Sequence, residues 1–447
     1  MKKIIIGLII ITLLTIGISF SINMSNGTKN IKDKKKTLEA QVIYIEDKQI
    51  ILQDNNNIIY TIQNNLNVDI GDKLIIEYDK NLNKNKEFQE IDILNYQILE
   101  KNTNYNKLQN KGIFSEYHNK ALITLEELSI DEKIAQLFLV RVPVDNQETI
   151  LERYQFGGYL FFERDFKDKT KEEVIKMIDK FQKVSKIPLL TAIDEEGGKV
   201  SRLSSNKNII STPFKSSQEL YQEGGFNLIK EDTINKSTIL KELGLNLNLA
   251  PVVDISENED DYIYPRTLGE NYLLTSKYAE TVINASKETG VSYTLKHFPG
   301  YGNNSDTHLD TSVDDRDYST FLNKDLLPFE KGIKAGCEAI MISHNVVTAI
   351  DENNPASLSV SIHNLLKNQL KFTGIIITDD LHMGAVSKIK NNTLKALLAG
   401  NDLIITTDYE KSINEIKQAL NNGIISEDLI NKSALKIIAW KYYKNLL

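Results

Sequence analysis

Cysteine is almost missing: Cys337 stands alone among 447 residues, so no internal disulfide can form. Its neighbours Ala335, Gly336, Ala339 and Ile340 read as packed wall, not as the setting of a thiol nucleophile. Histidine is scarce too. The six histidines include no pair at His-x-His or His-x-x-x-His spacing, which speaks against a hydrolase built on a bound metal. No dominant basic stretch exists, and 53 Lys and Arg against 61 Asp and Glu give a net charge of -8. Nucleic acid is therefore not an expected partner. The first long apolar run is followed by neither an Ala-x-Ala cleavage pattern nor a cysteine. A lipid-modified amino terminus is excluded on that composition, and cleavage is poorly supported.

That run, Ile4 to Ile22 behind Met1-Lys2-Lys3, is uncharged and apolar on every face. Residues 1–23 are read as an uncleaved anchor, with a cleaved signal peptide as the alternative, placing the rest of the chain outside the membrane. A polar linker over 24–35 leads into short alternating runs, Ala40–Ile45, Gln49–Gln53, Ile58–Ile62 and Lys73–Tyr78, punctuated by Asp/Asn/Gly clusters. These predict a small antiparallel all-β domain over 36–100 with nothing catalytic in it, read as a spacer. Residues 101–121, rich in Asn and Lys, form a second linker.

From residue 122 to 447 the pattern alternates between strand and helix. Apolar strands are expected at Leu137–Val142, Gly158–Phe162, Leu189–Asp194, Leu245–Asp254, Ser292–Phe298, Ala339–His344, Gly374–Asp379 and Asp402–Thr407. Amphipathic stretches such as Lys171–Val184, Ile229–Leu243 and Lys411–Leu420 lie between them, Thr124-Leu125-Glu126-Glu127 reads as a helix cap, and Ser426–Tyr443 as a sealing helix. Eight strands that are apolar throughout, separated by helices, predict an α/β fold: a (β/α)8 TIM-like barrel, with an open doubly wound sheet as the alternative. Arg141, Asp194, Asp254, Lys296, His297, His344 and Asp379 fall at or near the carboxyl ends of predicted strands. In a barrel those ends share one face, and so many polar groups are hard to ascribe to packing.

The stretch from Lys296 to His308, KHFPGYGNNSDTH, ends a strand, turns through glycines and a proline, and presents an acid and an imidazole two residues apart. Asp306 can orient His308 and stabilise its charge, leaving the far ring nitrogen to give or take a proton. Asp379, at the end of a predicted strand, is the second reactive group. A carboxylate facing a proton donor across an acetal suits a retaining glycosidase, whose two groups flank the bond at about 5–5.5 Å. Asp379 is then the nucleophile and the His308–Asp306 dyad the general acid/base.

Residues 124–445 resemble the family 3 glycoside hydrolases, and within them the bacterial β-N-acetylglucosaminidases of the cell-wall recycling type. The resemblance rests on motifs in order: GGYLFF at 157–162, DEEGGKVSRL at 194–203, APVVD at 250–254, RTLG at 266–269, KHFPG at 296–300 and TDDLHM at 378–383. It implies that Asp379 forms a covalent glycosyl-enzyme and that Asp306 and His308 replace the usual carboxylic acid/base. It further implies that Asp194, Arg202, Arg266, Lys296 and His297 hold the terminal sugar. The implied substrate is a glycan or muropeptide ending in N-acetylglucosamine, hydrolysed without a cofactor by a monomeric catalytic domain. Three positions depart from the family pattern: Glu195 for Gln, Lys199 for Arg and Tyr301 for His, in a dyad loop one residue shorter. The alternatives are a family 3 β-glucosidase or β-xylosidase, which normally takes its acid from a following domain, and a catalytically weak glycan-binding surface protein. The internal dyad argues against the first and the complete reactive set against the second.

Overall fold

The computed structural model describes residues 36–45, 49–55, 58–63, 66–68, 71–78, 82, 88–100, 112–307 and 311–447. The apolar run expected to anchor or export the chain, residues 1–23, lies outside them, as does the linker 24–35. Among the described residues no helix is long and apolar enough to cross a membrane. The chain divides into two compact units, Met1–Lys107 and Leu108–Leu447.

The first unit is a single sheet of six strands, β1 (Lys36–Ile45), β2 (Gln49–Asp54), β3 (Ile59–Gln63), β4 (Lys73–Tyr78), β5 (Phe88–Glu90) and β6 (Ile93–Glu100), in the order β5-β3-β2-β1-β4-β6. All pairings are antiparallel except β3 with β5. Alternation sets its core. Along β4, Leu74, Ile76 and Tyr78 are buried while Lys73 is exposed, and Leu74 and Ile76 pack with Val42, Ile50, Leu52, Tyr60 and Ile62.

The second unit is the barrel. Its strands are β7 (Phe138–Arg141), β8 (Gly158–Phe161), β9 (Leu190–Ile193), β10 (Leu247–Asn248), β11 (Ser292–Phe298), β13 (Ala339–Ile342), β15 (Ile375–Thr378) and β16 (Ile404–Thr406). A two-residue pair, β12 (Val313–Asp314) with β14 (Val346–Val347), sits in the loops. The eight strands run parallel in the order β15-β13-β11-β10-β9-β8-β7-β16, and a parallel bridge from Ile377 to Leu403 nearly closes the ring. Nearly every strand residue is buried, as two-sided coverage by helices demands. The intervening helices are capped as their sequences dictate: at the start of Lys171–Val184 the Thr170 amide donates to the Glu173 carboxylate and the Glu173 amide to the Thr170 hydroxyl.

Two local expectations change. Thr124 does not open a helix; it lies inside His118–Glu126, and its hydroxyl meets the Tyr442 hydroxyl at 2.7 Å. The capping box belongs to Ser129 and Glu132 five residues on. The strand expected over 245–254 is regular only at Leu247–Asn248, because Pro251 has no amide hydrogen to give. The chain still follows the barrel beyond it, Val253 N donating to Lys296 O at 2.8 Å. The last helix, Glu427–Tyr443, seals the unit with Ile430, Ala434, Ile437, Ile438 and Trp440, whereas Leu429 is only half-buried. Trp440 is completely enclosed, and its indole N–H donates to Glu338 at 2.8 Å. Cys337 donates to Ala339 O, and burial pushes its thiol up to about 12, the state of a structural residue.

Candidate active site

Because all eight strands run the same way, their carboxyl ends form one rim. β9 delivers two acids to it. Asp194 and Glu196 alternate with Glu195 along the extended chain, and Lys296, from β11, reaches both: its Nζ lies 2.7 Å from Asp194 Oδ1 and 2.7 Å from Glu196 Oε1. Lys296 is only 2% exposed. Burial would lower its pKa, but Asp194 and Glu196 outweigh burial and raise the ammonium above the ordinary lysine value. Arg266 grips the other side of Glu196 in a fork, Nε to Oε2 at 3.0 Å and Nη2 to Oε1 at 2.8 Å. Burial would raise the Glu196 carboxyl; the two cations drive it well below the carboxylate range instead.

His297 follows Lys296 on β11 and points to Asp254, its Nδ1 2.7 Å from Asp254 Oδ2, while its Nε2 lies 3.3 Å from Arg266 Nη2. Asp254 also accepts the amides of His297 and Tyr301. This carboxylate therefore pins both the imidazole and the start of the next loop. The Lys296–His297 peptide is cis. Arg202 meets the same acid at longer range, its Nη2 3.7 Å from Asp194 Oδ2.

Asp379 stands one residue past β15, its amide bonded to Ile342 O of the neighbouring strand and its Oδ1 accepting the Asp380 amide at 2.8 Å. Burial opposes its ionisation, yet the electrostatic pull of His344, His297 and Lys296 prevails and holds its pKa below the ordinary carboxylate value. The adjacent Asp380 is tied elsewhere, accepting the His382 amide and the Thr407 hydroxyl at 2.9 Å each. His344 spans Ser357 Oγ at 2.7 Å and Asp380 O at 3.1 Å, a supporting position beneath Asp379.

The loop after β11 is stitched together by Tyr301. Its hydroxyl donates to Ser305 O at 3.0 Å and accepts the Thr307 amide at 3.1 Å. Tyr301 is thus a buried clamp on the loop that carries Asp306. The Tyr262 ring centroid lies 6.0 Å from that of Tyr301, and its phenol, pushed up to about 12 by burial and then by the Asp306 charge, hydrogen-bonds Asp306. His308 lies outside the described residues, so the expected dyad is represented here by Asp306 alone.

Of the expected binding residues, Asp194, Arg202, Arg266, Lys296 and His297 form one connected band across β9, β11 and the loop before Thr267. Glu196 was not singled out from the sequence, although its period-two spacing from Asp194 carried the signal. Tyr262 had none, lying in an irregular loop. Glu195 is a loop anchor: it accepts the amides of Arg202 at 2.9 Å and Leu203 at 3.0 Å together with the Ser201 hydroxyl, and burial pushes its pKa up. His118 and His363 are buried packing residues, and His382 is exposed.

Gly197 closes this acid strand with φ +93°, and a Cβ there would lie 2.2 Å from Lys215 O. A left-handed backbone and a rigid carbonyl both oppose a side chain. Gly197→Ala is expected to cost roughly 2 kcal/mol or more, read as a lower urea midpoint with an unchanged slope. An unshifted midpoint would contradict the packing described.

The sequence profile described as Glycosyl hydrolase family 3 N terminal domain matches residues 129–439. The Beta-hexosaminidase of Glaesserella parasuis serovar 5 (strain SH0165) is 34% identical over 276 residues, 60% of this chain and 79% of that protein. Beta-hexosaminidase LpqI of Mycobacterium tuberculosis (strain ATCC 25618 / H37Rv) is 27% identical over 331 residues, 70% of this chain and 83% of its own. Among solved structures, a glycoside hydrolase family 3 beta-N-acetylglucosaminidase from Paenibacillus sp. str. FPU-7 is similar at a TM-score of 0.67 and 28% identity, covering 71% of this chain and 63% of that one. With the barrel, its acid-lined rim and a family match over most of the chain in agreement, this protein belongs to glycoside hydrolase family 3.

Proposed function

We propose that the protein is a retaining exo-β-N-acetylglucosaminidase that removes terminal β-linked N-acetylglucosamine from peptidoglycan fragments, outside the membrane behind its apolar amino-terminal run. Asp379 is the nucleophile, and His308, oriented by Asp306, is the general acid and then the general base. The observation that carries this reading is Asp379 itself: a carboxylate at a strand end, held ionised by surrounding cations in a site lined by hydrogen-bonding side chains. Lys296, Asp194, Arg202, Arg266 and His297 hold the sugar hydroxyls through charge-assisted bonds. Relatives named for β-hexosaminidase and β-N-acetylglucosaminidase activity support the choice of sugar.

The test is hydrolysis of an aryl β-N-acetylglucosaminide followed by proton NMR. Release of the β-anomer of N-acetylglucosamine before mutarotation is the expected result. First appearance of the α-anomer, or turnover of the glucoside alone, rejects it. His308→Ala is expected to slow unactivated substrates by about 10²–10⁴-fold and to spare nitrophenyl leaving groups, which need little protonation. Equal losses on both would remove His308 from the acid role.

A further inference from the structure

Arginine is rare in this chain. Arg141, Arg153, Arg164, Arg202, Arg266 and Arg316 are all it has among 53 basic residues, so each is worth accounting for where lysine supplies most of the positive charge. Arg266 forks onto Glu196, and Arg316 is clamped by Asp314 and Asp325. Arg164 donates to Val142 O and lies 3.4 Å from Asp165. Arg153 is exposed to water, and Arg202 faces Asp194. Among the described residues, Arg141 differs in being sheltered from solvent with no acid in ion-pair range; Arg202 shares a buried Nε without a hydrogen-bond partner but has Asp194 at 3.7 Å. It ends β7 on the catalytic rim, half-buried, with its guanidinium 4.1 Å from the Phe162 ring centroid. The guanidinium has no hydrogen-bond or ion-pair partner among the described residues, and its Nε is shut off from solvent.

The acids nearest to it are engaged elsewhere. Asp165 accepts the Phe162 amide at 2.7 Å and pairs with Arg164; Asp380 serves His382 and Thr407. Burial, and next the Arg164 charge, lower the Arg141 pKa, so nothing in the protein compensates its charge fully. A shielded donor without a partner costs about 1–3 kcal/mol, more when charged. Stacking on an aromatic face fixes the fork in one plane, ready for a planar anion. Phe162 is also shared: the Arg202 guanidinium lies 5.0 Å from the same ring and 3.7 Å from Asp194. Arg141 is therefore one side chain away from the group assigned to the terminal sugar. That sugar is neutral, so an anion meeting Arg141 must be carried by another part of the substrate.

We propose that Arg141, backed by Phe162, recognises a carboxylate on the sugar next to the terminal N-acetylglucosamine. This inference rests on the function proposed above and narrows its substrate class to acidic glycans. Two sources share the chemistry: the lactyl ether of a muramic acid and the ring carboxylate of a uronic acid.

The experiment compares kcat/KM of the full-length wild type, Arg141→Gln and Arg141→Lys on three disaccharides. Each carries β-linked N-acetylglucosamine, on N-acetylmuramic acid, on glucuronic acid or on neutral N-acetylglucosamine. Wild type is expected to prefer one acidic disaccharide, which identifies the source. Arg141→Gln is expected to reduce the acidic-to-neutral ratio at least tenfold, chiefly through KM, and Arg141→Lys to fall between, keeping the charge but not the fork. Phe162→Leu, which loosens the stack and keeps the charge, should shift the ratio in the same direction and decides the matter if Arg141→Gln does not fold. No acid preference in wild type, or variants that slow all three substrates by one factor, overturns the proposal while hydrolysis of aryl N-acetylglucosaminides leaves the parent reading standing. Failure to cleave any N-acetylglucosaminide removes both.

Discussion

Asp379→Ala is expected to lower kcat on an aryl β-N-acetylglucosaminide by on the order of 10⁴-fold or more, and azide is expected to restore part of it. The azide ion occupies the space vacated by the carboxylate and attacks the same face of the sugar, so the product is the α-glycosyl azide, inverted once. That product separates loss of a nucleophile from loss of shape, since a merely distorted pocket gives no azide adduct. Asp380→Asn is the control. Its carboxylate is bound to the His382 amide and the Thr407 hydroxyl, and a much smaller loss is expected. The electrostatics add a second reading. His344, His297 and Lys296 together depress the Asp379 pKa below its ordinary 3.8 against the effect of burial, so Asp379 stays charged as pH falls to that value. The acid limb it contributes to kcat/KM should lie below pH 3.8 and be displaced upward in Lys296→Met. A limb from this group near 5 or 6 in wild type would place Asp379 in a different role.

Much of the barrel was legible because its strands are short apolar runs between capped amphipathic helices, a pattern set by burial on both faces. Where local rules competed, distant contacts decided. Thr124 and Ser129 both open a pattern with an acid three residues on, and the hydroxyl of Thr124 is drawn instead to Tyr442, 318 residues away. In the small sheet, β5 and β6 escaped notice for a related reason. β6 has no fully buried residue, so its alternation is faint. In the site, Asp194, Lys296 and His297 announce themselves as charges at the ends of apolar strands. Glu196 acquires its importance only when the fold brings Lys296 and Arg266 against it, whereas Asp254, legible at its strand end, gains a specific partner in His297. Glu195 shows the opposite error that charge alone invites: the residue beside Asp194 is a buried anchor for backbone amides.

Lys296→Met should be the most destabilising of the rim substitutions, because it strips the shared cation from two acids at once. In wild type, Lys296 lies within 2.7 Å of both Asp194 and Glu196, and side-chain exposures are 2% for the lysine, 15% for Asp194 and 5% for Glu196. Removing one member of a buried charge cluster leaves the remainder uncompensated, at about 3–5 kcal/mol, or roughly 5 °C in melting temperature for a unit of this size. Arg266 retains its fork on Glu196, which keeps the loss near the lower end. The pH dependence gives the sign. Glu196 has a folded pKa depressed from 4.5, so its contribution is full above that value and disappears as pH falls through the folded value. Lys296 has a folded pKa raised from 10.5, so its contribution is full below 10.5 and disappears as pH rises through the folded value. The stability difference between wild type and Lys296→Met should therefore be greatest between pH 4.5 and 10.5 and shrink on either side. Adding Asp194→Asn to Lys296→Met should recover part of the loss, since without the lysine Asp194 keeps only Arg202 at 3.7 Å and the double variant removes that poorly compensated acid. Denaturant unfolding at pH 3.5 and 7 measures both effects, and a pH-independent difference with strictly additive losses would dissolve the coupling between these three side chains.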